Sequence, residues 1–224
     1  RLTAVEPDPS FLGTSLGNPI SLQEEATYLI TGGLGGLGLE IARGLAEQGA
    51  RHLVLTSRRG VRTPEQAAKV AKLEEMDVQL YLAQADVADE EAMTTLFAKL
   101  GYGSAADTDR DSPLPLLGRP KANKVEGLGV RANHDTKLSF PPLRGIIHAA
   151  GISEQDSSAL PEGTRFARVL APKVAGTWHL HRLSQPIDLD FFVLFSSASS
   201  LLGLMGQSDY AAANTFLDAL AAYR

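Results

Sequence analysis

Between a short apolar segment, Thr27–Thr31, and an amphipathic one with Leu37, Ile41 and Leu45 at helical spacing, the chain places Thr31-Gly32-Gly33-Leu34-Gly35-Gly36-Leu37-Gly38. The run satisfies two overlapping patterns, GxGxxG at Gly33, Gly35 and Gly38, and TGxxxGxG at Thr31, Gly32, Gly36 and Gly38. Glycine permits the tight turn and lets the main chain come close to another group. Set between strand and helix, these residues point to a strand-turn-helix unit whose helix N-terminus faces the pyrophosphate of a dinucleotide.

The rest of the chain repeats that unit. His52–Thr56 reads as a second strand, and Thr63-Pro64-Glu65-Gln66 supplies an N-cap, a Pro at the first helical position and a capping-box Gln for a helix through Glu75. Gln79–Gln84 makes a third strand, and Asp89 caps a helix with Glu90 and Glu91 in its first turn, where the helix dipole favours them. A fourth strand at Leu143–His148 follows, then a helix around Arg165–Leu183, a fifth strand at Leu189–Phe195 and a last helix from about Gln207. Strands alternating with helices imply an α/β fold, a doubly wound parallel sheet of Rossmann-like type. Ligands of such sheets sit at the carboxyl ends of the strands.

Two stretches break the alternation. Residues 1–26 carry Pro7, Pro9, Gly13, Gly17 and Pro19 without an apolar period and read as a linker or the tail of a preceding unit. Residues 101–142, with Pro at 113, 115, 120, 141 and 142, read as a disordered surface insertion, a lid or partner-docking element being the alternative. One domain, 27–224, is expected from the remaining length. The chain stops at Arg224 inside a helix with no Gly, Asn or Pro stop signal, so the domain is expected to be C-terminally truncated, with an exposed sheet edge. Residues 1–224 alone are therefore expected to be unstable or nearly inactive.

Charge and composition narrow the function. A net charge of -5 argues against a nucleic-acid or anionic-membrane surface. No cysteine occurs and the five His are scattered, so neither a disulfide framework nor a metal site is expected. No apolar run approaches the roughly 20 residues that span a bilayer. A soluble, cytoplasmic protein fits.

Past the second strand, where an acid would hold a ribose 2′-hydroxyl, stands Ser57-Arg58-Arg59. A guanidinium there pairs bidentately with a 2′-phosphate that a carboxylate would repel, which selects NADPH over NADH. Asp86-Val87 after the third strand is placed to contact adenine, Asp86 having a helix-capping role as its alternative. His148-Ala149-Ala150-Gly151 brings small residues, and so close backbone, to the nicotinamide half; His148 itself reads as a satisfied core residue.

Phe195–Asn214, FSSASSLLGLMGQSDYAAAN, holds the reaction chemistry. Ser197 and Tyr210 suit an enzyme that steadies a carbonyl oxygen with a hydroxyl and protonates it with a phenol. A phenol of ordinary pKa about 10 works near neutrality beside a cation. One turn after Tyr210, where a Lys is usual in such reductases, this chain has Asn214, so the charge must come from elsewhere, and Lys173 on the preceding helix can bring it.

The set TGGLGGLG, SRRG, HAAG, PKVAGTWHLH, FSSASS and YAAAN resembles the ketoreductase domains of modular polyketide synthases, a branch of the short-chain dehydrogenase/reductases. In that branch the Lys and Asn positions look exchanged relative to the wider superfamily, as they are here. The resemblance runs from about Thr27 to Arg224, interrupted by the insertion. It implies that Tyr210 protonates the nascent alkoxide, Ser197 hydrogen-bonds the carbonyl oxygen, Lys173 holds the ribose and lowers the Tyr210 pKa, and Asn214 orders a proton-relay water. It further implies reduction of a β-ketoacyl thioester on an acyl carrier protein, in polyketide or fatty-acid-like chain assembly, within a larger multifunctional chain of synthase domains. The alternatives are a free-standing short-chain reductase of a small ketone and a non-catalytic reductase-like scaffold. Two family markers of stereochemical class are missing: Ser153-Glu154-Gln155 stands where LDD follows HAAG, and Leu202 where a Trp precedes the Tyr. The absent second Asp points to the class without LDD.

Overall fold

The computed structural model describes residues 21–102, 140–152, 162–203 and 205–224. Within them lie strands β1 (Thr27–Thr31), β2 (His52–Ser57), β3 (Gln79–Gln84), β4 (Leu143–His148) and β5 (Phe191–Leu194). They form one sheet in the order β3-β2-β1-β4-β5, each neighbouring pair parallel. The helices are α1 (Gly36–Glu47), α2 (Pro64–Glu74), α3 (Glu90–Lys99), α4 (Glu162–Lys173), α5 (Ala175–Ser184), α6 (Ser199–Leu202) and α7 (Ser208–Tyr223).

Alternation along the strands feeds two cores. Tyr28 and Ile30 of β1 pack with Leu39, Ala42 and Ala46 of α1, while Leu29 between them packs with Met93, Leu96 and Phe97 of α3. All of β1 is consequently buried, which is why it reads as an unbroken apolar run rather than as alternating apolar and polar residues. Each such side chain fully withdrawn from water stabilises by roughly 1.5–3 kcal/mol. Gly145 in β4 has a packing reason too: a Cβ there would lie 2.2 Å from the Phe191 ring. That ring stacks on Tyr28 with centroids 5.6 Å apart and planes 4° from parallel.

The first three strands step outward from β1, and the chain then returns to lay β4 on β1's other side. This is the switch point of a doubly wound sheet, and the crevice opens beyond its carboxyl ends, where Thr31 and His148 are register partners. Local signals account for the helix starts. Thr63 and Gln66 close the reciprocal capping box on α2, and Asp89 Oδ1 accepts the Ala92 N–H at the start of α3.

The structure differs from the sequence expectation in the later elements. The helix expected over 165–183 is two helices, α4 ending at Lys173 and α5 beginning at Ala175, with Pro172 inside the last turn of α4. Strand β5 is shorter than Leu189–Phe195, and α6 appears as an unexpected short turn before the last helix. Residues 1–20 and 103–139, which hold most of the expected linker and insertion, lie outside the described residues. Just before β1, Leu22 packs on the core, Ala26 is fully buried, and the Gln23 N–H donates to Tyr28 Oη at 2.7 Å. Among the described residues no helix is long and apolar enough to cross a membrane.

Candidate active site

The glycine turn is held by main-chain bonds: Gly33 N–H to Thr56 O at 2.9 Å, Gly35 N–H to Gly32 O at 2.9 Å, and Leu39 N–H to Gly35 O at 3.0 Å as α1 begins. Three positions of the turn exclude a side chain. Gly32 has φ +70° and a Cβ would lie 2.8 Å from the Ala149 carbonyl; at Gly38 a Cβ would lie 2.3 Å from the Gly32 carbonyl. Gly33 is closed by Leu55. Gly36 by contrast faces open space, and Leu37 is 51% exposed.

Beyond the strand ends lies a cleft of about 490 Å³. Gly32, Leu34 and Gly35 line it from the turn, and Ala149, Ala150 and Gly151 from the end of β4. Ser57, Arg58 and Arg59 contribute from β2, and Asp86 and Val87 from β3. Arg62 and Gln66 also line it, and sequence reasoning missed both. Gln66 read only as a capping-box residue, yet its Nε2 donates to Leu34 O at 2.8 Å and so ties α2 to the glycine turn. Asp86 Oδ1 accepts the Ala88 N–H at 3.0 Å, a local turn that holds the carboxylate at the rim. Val87 is mostly packed: a Cβ on Gly176 would lie 2.7 Å from it, so α5 can approach only because residue 176 is glycine.

His148 is buried between three elements. Its Nδ1 lies 2.6 Å from Thr31 Oγ1 and its Nε2 lies 3.0 Å from the Pro172 carbonyl. A carbonyl only accepts, so the proton is on Nε2 and Nδ1 accepts from the threonine. Burial, reinforced by the Lys173 charge, draws its pKa from 6.5 to about 3, and the ring stays neutral. Thr31, expected in the cofactor turn, bonds through its hydroxyl to the His148 ring, the residue read as a satisfied core histidine, and His148 also braces the end of α4.

Lys173 follows directly. Only 6% exposed, it donates from Nζ to Phe195 O at 2.9 Å at the end of β5, and its Nζ stands 5.7 Å from the Tyr210 ring centroid. A Cβ on Gly151 would lie 3.6 Å from Lys173 Cε, so the ammonium adjoins the cleft wall. Burial draws its pKa from 10.5 to about 8, against the opposing charge of Asp218.

Helix α7 presents Tyr210, Asn214 and Asp218 at one-turn intervals. Asn214 is fully buried; its Nδ2 donates to Tyr210 O at 2.8 Å, and its Oδ1 finds no partner among the described residues. Ser197 lies in the turn after β5, its Oγ accepting the Ser199 N–H at 3.2 Å. The adjacent Ser196 Oγ donates to Asn214 O at 3.3 Å and joins that turn to α7. Asp218 was not singled out from sequence. Hydrogen bonds from Ser200 and Ser196, with the Lys173 charge, hold its carboxyl below the usual range. Its spacing one turn after Asn214 was the available signal. The residues at the absent LDD motif, 153–155, lie outside the described residues, whereas Leu202 is exposed.

Fold and site together define an oxidoreductase of the short-chain dehydrogenase/reductase type with a Rossmann-like sheet. The family described as KR domain matches residues 26–104 and 129–224, and the chain belongs to that family, the ketoreductase domains of polyketide synthases. It is 38% identical over 96% of its length to a mellein synthase of Phaeosphaeria nodorum. To a 6-methylsalicylic acid synthase of Aspergillus terreus it is 37% identical over 100% of its length. Among solved structures it is similar to an A-type ketoreductase from a modular polyketide synthase, at 38% identity and a TM-score of 0.66 over 89% of this chain. The chain spans 10% and 11% of the two synthases and 35% of that structure.

Proposed function

We propose that the chain is the cofactor-binding and catalytic portion of a ketoreductase that uses NADPH to reduce a β-ketoacyl thioester, carried by an acyl carrier protein, to the β-hydroxyacyl thioester. One observation carries the reading: Lys173, whose Cε adjoins Gly151 of the cleft lining, holds its ammonium 5.7 Å from the centroid of the Tyr210 ring on a different helix.

The lining residues suit a phosphorylated dinucleotide. Gly32 and Gly38 leave no room for side chains in the turn, so the main chain at the start of α1 can come close to a pyrophosphate. Arg58, Arg59 and Arg62 cluster on the β2 side, and Asp86 is the one carboxylate among the lining residues. Their charge favours a 2′-phosphate. Bound NADPH supplies the hydride.

The chain's own residues manage the proton. Ser197 Oγ donates a hydrogen bond to the ketone oxygen, and the Tyr210 phenol gives that oxygen its proton as negative charge develops there. Lys173, while protonated, stabilises the phenolate that remains. Asn214 Oδ1, buried and without a partner among the described residues, is an acceptor for a water that returns a proton towards Lys173. Neighbouring synthase domains would deliver and remove the thioester, in keeping with the multidomain synthases the chain resembles.

The test uses the full-length native chain with a β-ketoacyl thioester and either NADPH or NADH. NADPH is expected to be preferred by at least about 10-fold, a preference lost in Arg58→Ala. Tyr210→Phe is expected to lower kcat by at least about 100-fold, in the range of a lost general acid. Unchanged turnover in Tyr210→Phe would refute the assignment.

A further inference from the structure

Among the ion pairs of the described residues, Arg165–Asp209 is the one whose carboxylate is buried: the two side chains are 26% and 9% exposed. Arg165 stands in the early part of α4 and Asp209 in the first turn of α7. Arg165 Nε donates to Asp209 Oδ2 at 2.9 Å and Nη2 to Oδ1 at 3.3 Å, a fork meeting a fork. The same Nη2 donates to the Gly206 carbonyl at 2.8 Å, and Asp209 Oδ1 also accepts the Tyr210 N–H at 2.9 Å. One ion pair thus grips α4, the loop before α7 and the backbone of Tyr210 itself.

Ahead of α7, Gly203 and Gly206 have φ of 68° and 75°, and Leu201, Leu202 and Met205 are exposed. The direction of the Tyr210 phenol depends on how α7 is rotated and how far it slides along α4, which carries Lys173 at its far end. A helix advances about 1.5 Å per residue, so a slip of one residue would remove the phenol from the ammonium.

We propose that Arg165 and Asp209 are positioning residues of the reductase: their ion pair sets the rotation and register of α7 against α4, and thereby the place of the Tyr210 phenol relative to Lys173. The proposal rests on the reading of Tyr210 and Lys173 given above. Neither residue is assigned to the substrate or the cofactor. Lys at 165 would keep the charge but lose the planar fork. Asn at 209 would keep an acceptor for Tyr210 N–H and lose the charge. Because an unpaired buried charge also destabilises, the readout must separate position from folding.

Arg165→Lys, Asp209→Asn, the double variant and Tyr210→Phe are compared in the full-length native chain, at a temperature where circular dichroism shows each folded. For the two single variants, kcat is expected to fall about 10- to 100-fold, the scale of a 1 Å misplacement. NADPH affinity, followed by the fluorescence of the reduced cofactor, should change by less than about 2-fold, because the cleft is built by other elements. The double variant should lose no more than the worse single one, as expected of one shared interaction. Should Tyr210→Phe be inactive while Arg165→Lys and Asp209→Asn turn over at the wild-type kcat, or lose activity only in step with their unfolded fraction, the positioning role alone is overturned. Should Tyr210→Phe keep wild-type turnover, the catalytic reading and this proposal fall together.

Discussion

The cleft at the ends of β1 and β2 and the α4–α7 pair beside it are made of different material. In the cleft, the turn is main chain: Gly32 and Gly38 are needed because backbone occupies the space a Cβ would take, and guanidinium groups stand at the rim. Between the helices the site is buried side chain: Lys173, Asn214, Asp209 and the bracing His148 are all removed from water. Backbone shape is insensitive to pH, whereas the ionisation of desolvated groups is not. A nucleotide cradle can therefore be robust while the proton-handling half beside it is tuned by burial.

The largest expected effect strikes the cradle. Gly38→Ala places a methyl 2.3 Å from the Gly32 carbonyl and 2.7 Å from Gly33 Cα, both backbone, and is expected to destabilise by about 2–4 kcal/mol. Gly36→Ala, two residues away in open space at the first position of α1, should be neutral or gain up to about 1 kcal/mol. Urea unfolding of both variants separates them; equal losses would break the contrast between required and incidental glycines.

A smaller effect belongs to the helix side. His148→Gln loses the two-sided bridge and is expected to destabilise by about 1–3 kcal/mol at neutral pH. Because the folded state lowers the His148 pKa from 6.5 to about 3, the unfolded chain binds the proton more readily. The ring's contribution is whole above pH 6.5 and is lost as pH falls from there towards 3. The gap between wild type and variant should close over that window when urea midpoints are measured from pH 7 downwards. A constant gap would show that the buried imidazole does not stay neutral.

Lys173→Met should give the smallest change, with the opposite sign. Burial lowers the Lys173 pKa from 10.5 to about 8, so holding the ammonium opposes folding below pH 8, and the penalty fades as pH rises to 10.5. The variant is expected to be more stable by about 1 kcal/mol at pH 7, after loss of the bond to Phe195 O is offset, with the advantage shrinking on approach to pH 10. It should reduce no substrate. Thermal melts across that range decide the sign, and a destabilised variant at pH 7 would mean the ammonium is better solvated than its burial indicates.

How much could be read in advance follows the same division. Strands β1 to β4 and the capped starts of α2 and α3 were legible, since glycine turns, capping residues and apolar runs act over a few neighbouring positions. The interruption at Val174 was not legible, because helical periodicity continues on both sides of it. The joining of Thr31 to His148 and of Gln66 to Leu34 was not legible, for each couples residues far apart in the chain.

By itself, the order of residues determined a parallel sheet with a glycine turn and put Lys173, Ser197, Tyr210 and Asn214 on elements able to meet. Only the tertiary structure decided that Lys173 reaches the Tyr210 ring, that Asp218 opposes the cost of burying it, and that Arg165 grips the turn ahead of the phenol. The reason is physical: turns and caps are governed by local sterics and hydrogen bonds, whereas burial and the pairing of distant charges exist only once the helices have packed.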